Sequence, residues 1–202
     1  SAQRLDDLKV SLNTALGNDV TSANNLLADI ASLNDQVARA ELTTGGVAND
    51  LRDLRQQKLG ELAELVNIET GSNPNGTLTV SLGGVTMVSD RNVLDTLETY
   101  DAGGGQMLIR AATAGTPLTL TGGSIQGTVD VRDGALQTLR SDLDTLASSL
   151  ITAVNAVHRP GYSLTGSFGA DFFTGTDAAS LSVNAALKDD PSLIQAAGVS
   201  GA

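Results

Sequence analysis

A chain of 202 residues is long enough for one domain, or one domain with an inserted lobe, and for a real core. Aromatic residues make up 2% and cysteine is absent, so the core must come from Leu, Val, Ile and Ala, and disulfides, thiolate metal sites and cysteine nucleophiles are excluded. A net charge of −11 repels phosphate backbones and anionic headgroups, which makes nucleic acid and membrane surfaces poor partners, and no apolar run is long enough to span a bilayer.

From Gln3 to about Arg39, apolar residues recur at Leu5, Leu8, Leu12, Leu16, Val20, Ala23, Leu27, Ile30, Leu33 and Val37. Steps of three and four place them on one stripe of a long helix, with a weak point at Gly17-Asn18-Asp19. Thr43-Thr44-Gly45-Gly46 carries turn chemistry. A second helix follows from about Asn49 to Val66, with Leu51, Leu54, Leu62, Leu65 and Val66 on one side and Asn49 or Asp50 as its N-cap. The period then changes. "TLTVSLGGVTMV" alternates at Leu78, Val80 and Leu82, turns at Gly83-Gly84 and resumes at Val85 and Met87, which predicts a hairpin fed by the turn Asn73-Pro74-Asn75-Gly76. The short runs "MLIR" and "PLTLTGG" extend this β region. A third long helix carries Leu136, Leu139, Leu143, Leu146, Leu150, Val154 and Val157 in near-heptad spacing, with Asp130 and Asp133 at its start and Pro160-Gly161 as its stop. After a glycine-rich loop come "LSVNAAL" and a last helical turn opened by Asp190-Pro191-Ser192.

These parts predict an α+β fold, an elongated antiparallel bundle of three long helices with a small antiparallel β lobe inserted between the second and third. The expected divisions are residues 1–66 for the helical pair and 67–124 for the β lobe. Residues 125–158 then form the third helix, and 159–202 an aromatic loop with short C-terminal elements packed on the bundle.

The loop raises the one chemical question. "VNAVHRPGYSLTGSFGADFF" holds the only histidine, His158, all three phenylalanines and one of the two tyrosines. Catalysis would need a nucleophile and an orienting acid within reach of His158. Ser163 and Ser167 lie nearby, but "GYSLTG" and "GSFGAD" are not nucleophile elbows, and either Asp171 or any backbone carbonyl could orient the ring. The favoured reading is a structural corner. There His158 and Arg159 meet carbonyls at the helix end, and Tyr162, Phe168, Phe172 and Phe173 fold back as a plug. No acidic run has calcium-loop spacing and no glycine cluster fits a phosphate loop, so neither metal nor cofactor is expected. Asn75-Gly76-Thr77 fits a glycosylation sequon, yet Asn-Gly is first a turn signal, and Asp50 to Arg55 reads as a solvated helix face.

"ANDLRDLRQQKLGELAELVNI" from Ala48 to Ile68, β hairpins, and then "GGSIQGTVDVRDGALQTLRSDLDTLASSLITAVNAVHRPGYSLTGSFGADFF" from Gly122 to Phe173 resemble the FlgK family of flagellar hook-associated proteins. "LADIASLNDQVARAE" from Leu27 to Glu41 adds to the likeness, and the stretch from Leu143 to Phe173 is its most specific part. The resemblance implies a non-enzymatic structural protein of the bacterial flagellum at the hook–filament junction, extracellular and exported through the type III channel without a cleaved signal. Its implied partners are the hook protein, other hook-associated proteins, further copies of itself in the junction, and an export chaperone engaging a terminal segment. No signal peptide is read at Ser1, and the sequence stops at "GVSGA", so the expected object is an internal fragment without the terminal helices, monomeric in solution. Two rivals stand beside this. One is a helical adaptor or coiled-coil binding module of another extracellular assembly, and the other a hydrolase using His158 and a serine.

Overall fold

The computed structural model describes residues 2–199 and is α+β, with long helices and small antiparallel sheets. Ser1 and residues 200–202, on which the expectations about a leader and a fragment end partly rest, lie outside the described residues. The chain divides into two compact units. One is Lys9–Gly134, and the other joins the residues up to Leu8 with those from Ala135 on.

Helix α1 spans Ala2–Thr44 and α2 spans Asn49–Leu65. The stripe of α1 is real from Leu16 on, where Leu16, Val20, Ala23, Leu27, Ile30, Leu33 and Val37 are all buried. The helix runs unbroken through Gly17-Asn18-Asp19, because buried Leu16 and Val20 hold both sides of the glycine. It ends at Gly45, which adopts φ +65° and donates to Glu41 O at 3.0 Å. Neither Asn49 nor Asp50 caps α2. Ala48 occupies that position without a side-chain cap, and the Glu41 carboxylate from α1 accepts from its N–H at 3.0 Å. The same carboxylate holds Arg52 through Nε at 2.7 Å and Nη2 at 2.8 Å, so one residue closes the α1–α2 corner.

Strands β1 (Glu69–Ser72), β2 (Leu78–Leu82), β3 (Val85–Ser89) and β4 (Asn92–Val93) form an antiparallel meander. Gly83 and Gly84 make the two-residue turn between β2 and β3 at φ +52° and +81°, the doubly positive geometry that matches strand twist. Strands β5 (Leu97–Asp101) and β6 (Met107–Ala111) pair separately. "PLTLTGG" does not become a strand, since Pro117 has no N–H for a ladder and makes only an isolated bridge to Arg110. These strands have no core of their own. Val80, Leu82, Met87 and Ile109 share one buried cluster with Leu27, Ile30 and Leu62 of the helices.

Three polar side chains fasten this unit. Asn34 sits on the buried face of α1, fully covered, where it donates to Leu78 O at 2.8 Å and to Asp90 O. Its Oδ1 accepts from Leu78 N–H at 3.0 Å and from Arg55 Nη1 at 2.8 Å. Ten residues earlier on the same helix, Asn24 donates to Leu97 O at 2.9 Å and accepts from Leu97 N–H at 2.8 Å. Asp95 takes three backbone N–H groups, from Thr96, Thr113 and Ala114. Burial alone would raise its pKa, and those bonds outweigh it and leave the value lowered.

The expected third helix is not one helix. Helix α3 (Gly123–Asp130) passes into a π turn (Val131–Leu136), and α4 (Gln137–His158) follows. Asp130 closes α3 rather than opening a helix, and Asp133 lies inside the π turn, held by the fully covered Arg132. The buried face of α4 also differs from its leucine stripe. Leu139, Leu146, Leu150 and Val157 are exposed, while Ala147, Asn155 and His158 are buried.

Two outcomes follow from this unit. Asn34→Ala strips a partner from a buried guanidinium and orphans both backbone groups of Leu78, so urea denaturation should show a loss on the order of 3–5 kcal/mol. Glu41 is held down to a pKa of about 2, first by its bond from Arg52 and then by that from Ala48 N–H. Its folded value lies below the ordinary 4.5, so its contribution is complete above that pH and is lost as the pH falls through about 2. Between those limits the urea midpoint of the native protein should fall more steeply than that of Glu41→Gln.

Candidate functional site

The corner at the end of α4 is built from two buried polar residues one turn apart. Asn155 points its amide at the returning loop, donating to Phe173 O at 2.9 Å and accepting from Phe172 N–H and Phe173 N–H, each at 2.9 Å. His158 is 6% exposed, with Nδ1 at 2.9 Å from Ala170 O and Nε2 accepting from Gln195 N–H at 3.0 Å. An N–H aimed at Nε2 requires a lone pair there, so the ring is neutral with its proton on Nδ1, donated to Ala170. Its partners are the loop and the C-terminal segment, not the last carbonyls of its own helix.

Pro160-Gly161 ends α4, and Gly161 is required by space. A Cβ there would stand 2.5 Å from Gln195 O, the residue whose N–H meets His158. The next residue continues the join, since Tyr162 and Ala197 exchange N–H to O bonds at 2.8 and 3.1 Å. Beyond the corner, β7 (Phe173–Thr174) pairs with β8 (Ser182–Val183), and α5 (Ala185–Asp189) is capped by Asn184. Asn184 Nδ2 also donates to Asp171 O at 2.9 Å. A 3-10 turn (Pro191–Leu193) opens on Asp190, which accepts from Ser192 N–H at 3.0 Å.

The five aromatic and imidazole rings do not make one plug. His158 meets Phe172 edge-on at 5.4 Å, and Phe172 meets Phe173 edge-on at 4.9 Å. Tyr162 pairs with Phe168 at 5.8 Å, apart from that row, and Phe168 is 71% exposed. Phe172 and Phe173 are half-buried.

The hydrolytic arrangement is not assembled. Ser163 Oγ is turned into its own loop, accepting from Thr165 N–H at 3.2 Å and Ser167 N–H at 3.0 Å, while both His158 nitrogens are committed to backbone. Asp171 pairs with Arg159 instead of the imidazole, and the bond from Arg159 lowers its pKa. Among the described residues, no group of three or more His, Asp or Glu is placed to hold a metal ion. A polar groove of about 490 Å³ in this unit is lined by Gln137, Arg140, Ser141, Asp144, Ser148 and Thr176, none of them a residue of the corner. Sequence reasoning picked out His158 and the rings but missed Asn155, whose signal is an asparagine three residues before the histidine on the same helical face.

Comparison with known proteins adds a second line of observation. Residues 1–173 match the family described as the flagellar hook-associated protein FlgK helical domain. Flagellar hook-associated protein 1 of Salmonella typhimurium is 30% identical over 187 residues, covering 85% of this chain and 33% of that protein. The protein of the same name from Bacillus subtilis is 28% identical over 206 residues, covering 87% of this chain and 40% of its own length. The solved structure of the flagellar hook junction protein FlgK from Burkholderia pseudomallei matches with a TM-score of 0.75 at 26% identity, over 86% of this chain and 33% of that one. The chain thus spans a third to two-fifths of the length of these relatives.

The corner makes a ranked expectation. Asn155→Ala orphans three backbone groups and should lower stability by about 1–3 kcal/mol. Phe168→Ala, at an exposed ring, should stay within about 0.5 kcal/mol. Phe172→Ala and Phe173→Ala should fall below the roughly 3–5 kcal/mol of a fully buried phenylalanine. Chemical denaturation of the four variants checks the order.

Proposed function

The chain belongs to the FlgK family of flagellar hook-associated proteins, and from that membership we propose that it is part of a structural junction protein joining hook to filament in the bacterial flagellum. The match of the family's helical domain to residues 1–173 carries the reading, because it takes in α1, α2, the β meander and the specific corner at His158 together. The protein acts outside the cell as a component of the flagellum and not as an enzyme. Its partners are the hook protein, other hook-associated proteins and further copies of itself, with an export chaperone engaging a terminal segment.

His158, Tyr162, Phe168, Phe172 and Phe173 serve this role as a structural corner. The support is geometric, since every polar atom of Asn155 and His158 is spent on fixing backbone. In isolation a −11 surface favours a monomer at micromolar concentration, because copies repel one another at low salt.

Deletion of the full-length gene from its bacterium provides the test. Cells should make hooks without attached filaments and lose swimming, and the full-length protein supplied in trans should restore both. Normal filaments on the deleted cells would overturn the reading.

A further inference from the structure

The C-terminal segment, residues 194–199, meets the corner at three places. Gln195 N–H donates to His158 Nε2 at 3.0 Å. Tyr162 and Ala197 exchange backbone bonds at 2.8 and 3.1 Å. Gly161 lies so close to Gln195 O that a Cβ there would stand 2.5 Å away. The last two are backbone contacts, indifferent to pH. The first is not, because its acceptor is a nitrogen that titrates.

The imidazole serves this segment only while neutral. Nδ1 spends its proton on Ala170 O, so the lone pair that receives Gln195 N–H is the place a second proton would take. With that proton on, Nε2 is a donor facing a donor. Both residues are buried, so neither donor has water to turn to, and an unmatched buried N–H is costly. The charged groups around the ring do not offset this. The loop brings Tyr162 and the pair Arg159 and Asp171, and although Asp171 feels the charge of His158, its carboxylate is held by Arg159. Residues 145–157 of α4 and residues 194–199 contain no charged side chain, and Lys188, Asp189 and Asp190 precede the segment on α5 and the turn after it. A second observation bears on the same contact. Both polar atoms of the Gln195 side-chain amide are buried without a partner, so docking strips that amide of water and release returns it.

We propose that His158 and Gln195 form an acid-released latch. With the ring neutral, residues 194–199 are docked on the corner. With the ring protonated, the Gln195 bond is lost, the segment leaves, and the backbone edge of Tyr162 is bared with it. The loop stays, because Asn155 holds Phe172 and Phe173 through an amide that does not titrate. The latch therefore separates two joints that one helix end makes, one sensitive to acid and one not.

Amide hydrogen exchange read by NMR, with the His158 ring nitrogens followed in the same samples, tests this from about pH 8 down to about pH 5, the range in which imidazole changes charge. Rates are divided by those of an open chain at each pH, which leaves protection alone. As the ring gains its proton, the Gln195, Ala197 and Tyr162 amides should lose protection together, by on the order of tenfold or more, while Phe172 and Phe173 keep theirs. Three results overturn the proposal. One is a ring that protonates with the Gln195 amide still protected. Another is a ring that stays neutral across the range. The third is a loss shared equally by Phe172 and Phe173, which is unfolding of the whole corner and not release of a latch. The outcome does not depend on whether the protein joins hook to filament.

Discussion

The fold depends on one recurring device, an asparagine on a helix that both donates to and accepts from the backbone of an extended neighbour. Asn24 does this to Leu97, Asn34 to Leu78, and Asn155 to Phe173. A helix and a strand ordinarily meet only through side-chain packing, which is non-directional and leaves register loose. The amide has a carbonyl and an NH₂ at the spacing of a peptide group, so it pairs with a strand residue as another strand would. Each clamp therefore fixes one residue of a β segment to one residue of a helix. In a chain with 2% aromatics and 22 glycines, where large interlocking side chains are scarce, this directional contact sets the alignment that packing alone would leave open.

Charge plays the same part where the chain turns. Glu41 stands in for the missing N-cap of α2 and pins Arg52. Asp95 gathers the N–H groups of Thr96, Thr113 and Ala114, tying the entry of β5 to the loop after β6. Arg132 and Asp133 hold the π turn against α1 through Asn13. In each case one side chain satisfies backbone or charge that regular secondary structure has left over, which is why so glycine-rich a chain carries few orphaned buried groups. Among the described residues the exceptions are Arg55 Nε and the side-chain amide of Gln195, both of its polar atoms buried without a partner.

The sequence made visible what apolar period and turn chemistry encode. The stripe from Leu16 to Val37, the helix from Asn49 and the Gly83-Gly84 hairpin all follow from that code. The clamps stayed hidden because an asparagine inside an apolar stripe reads as an interruption, although Asn34 falls on the face of Ile30 and Val37. The same limit explains α4. Its leucines at near-heptad spacing suggested the buried face, yet Asn155 and His158 define it, since what lies against that face is loop backbone needing donors and acceptors. The π turn was equally illegible, as Val131–Leu136 carries no breaker except Gly134, which helices tolerate.

The lone histidine then has a physical explanation that needs no chemistry. At the end of α4 two backbone groups face the same side chain from different directions, the carbonyl of Ala170 and the N–H of Gln195. A side chain there must present one donor and one acceptor pointing apart, on a rigid frame, and stack against the edge of Phe172. Serine and threonine are too short, and asparagine and glutamine place donor and acceptor on one amide end. Neutral imidazole places them on opposite flanks of a flat ring. His158 thus closes the corner between the loop and the C-terminal segment with one residue, and Asn155 one turn below closes the loop alone. The pair divides the work by geometry, the amide reading one extended strand and the ring bridging two separate segments.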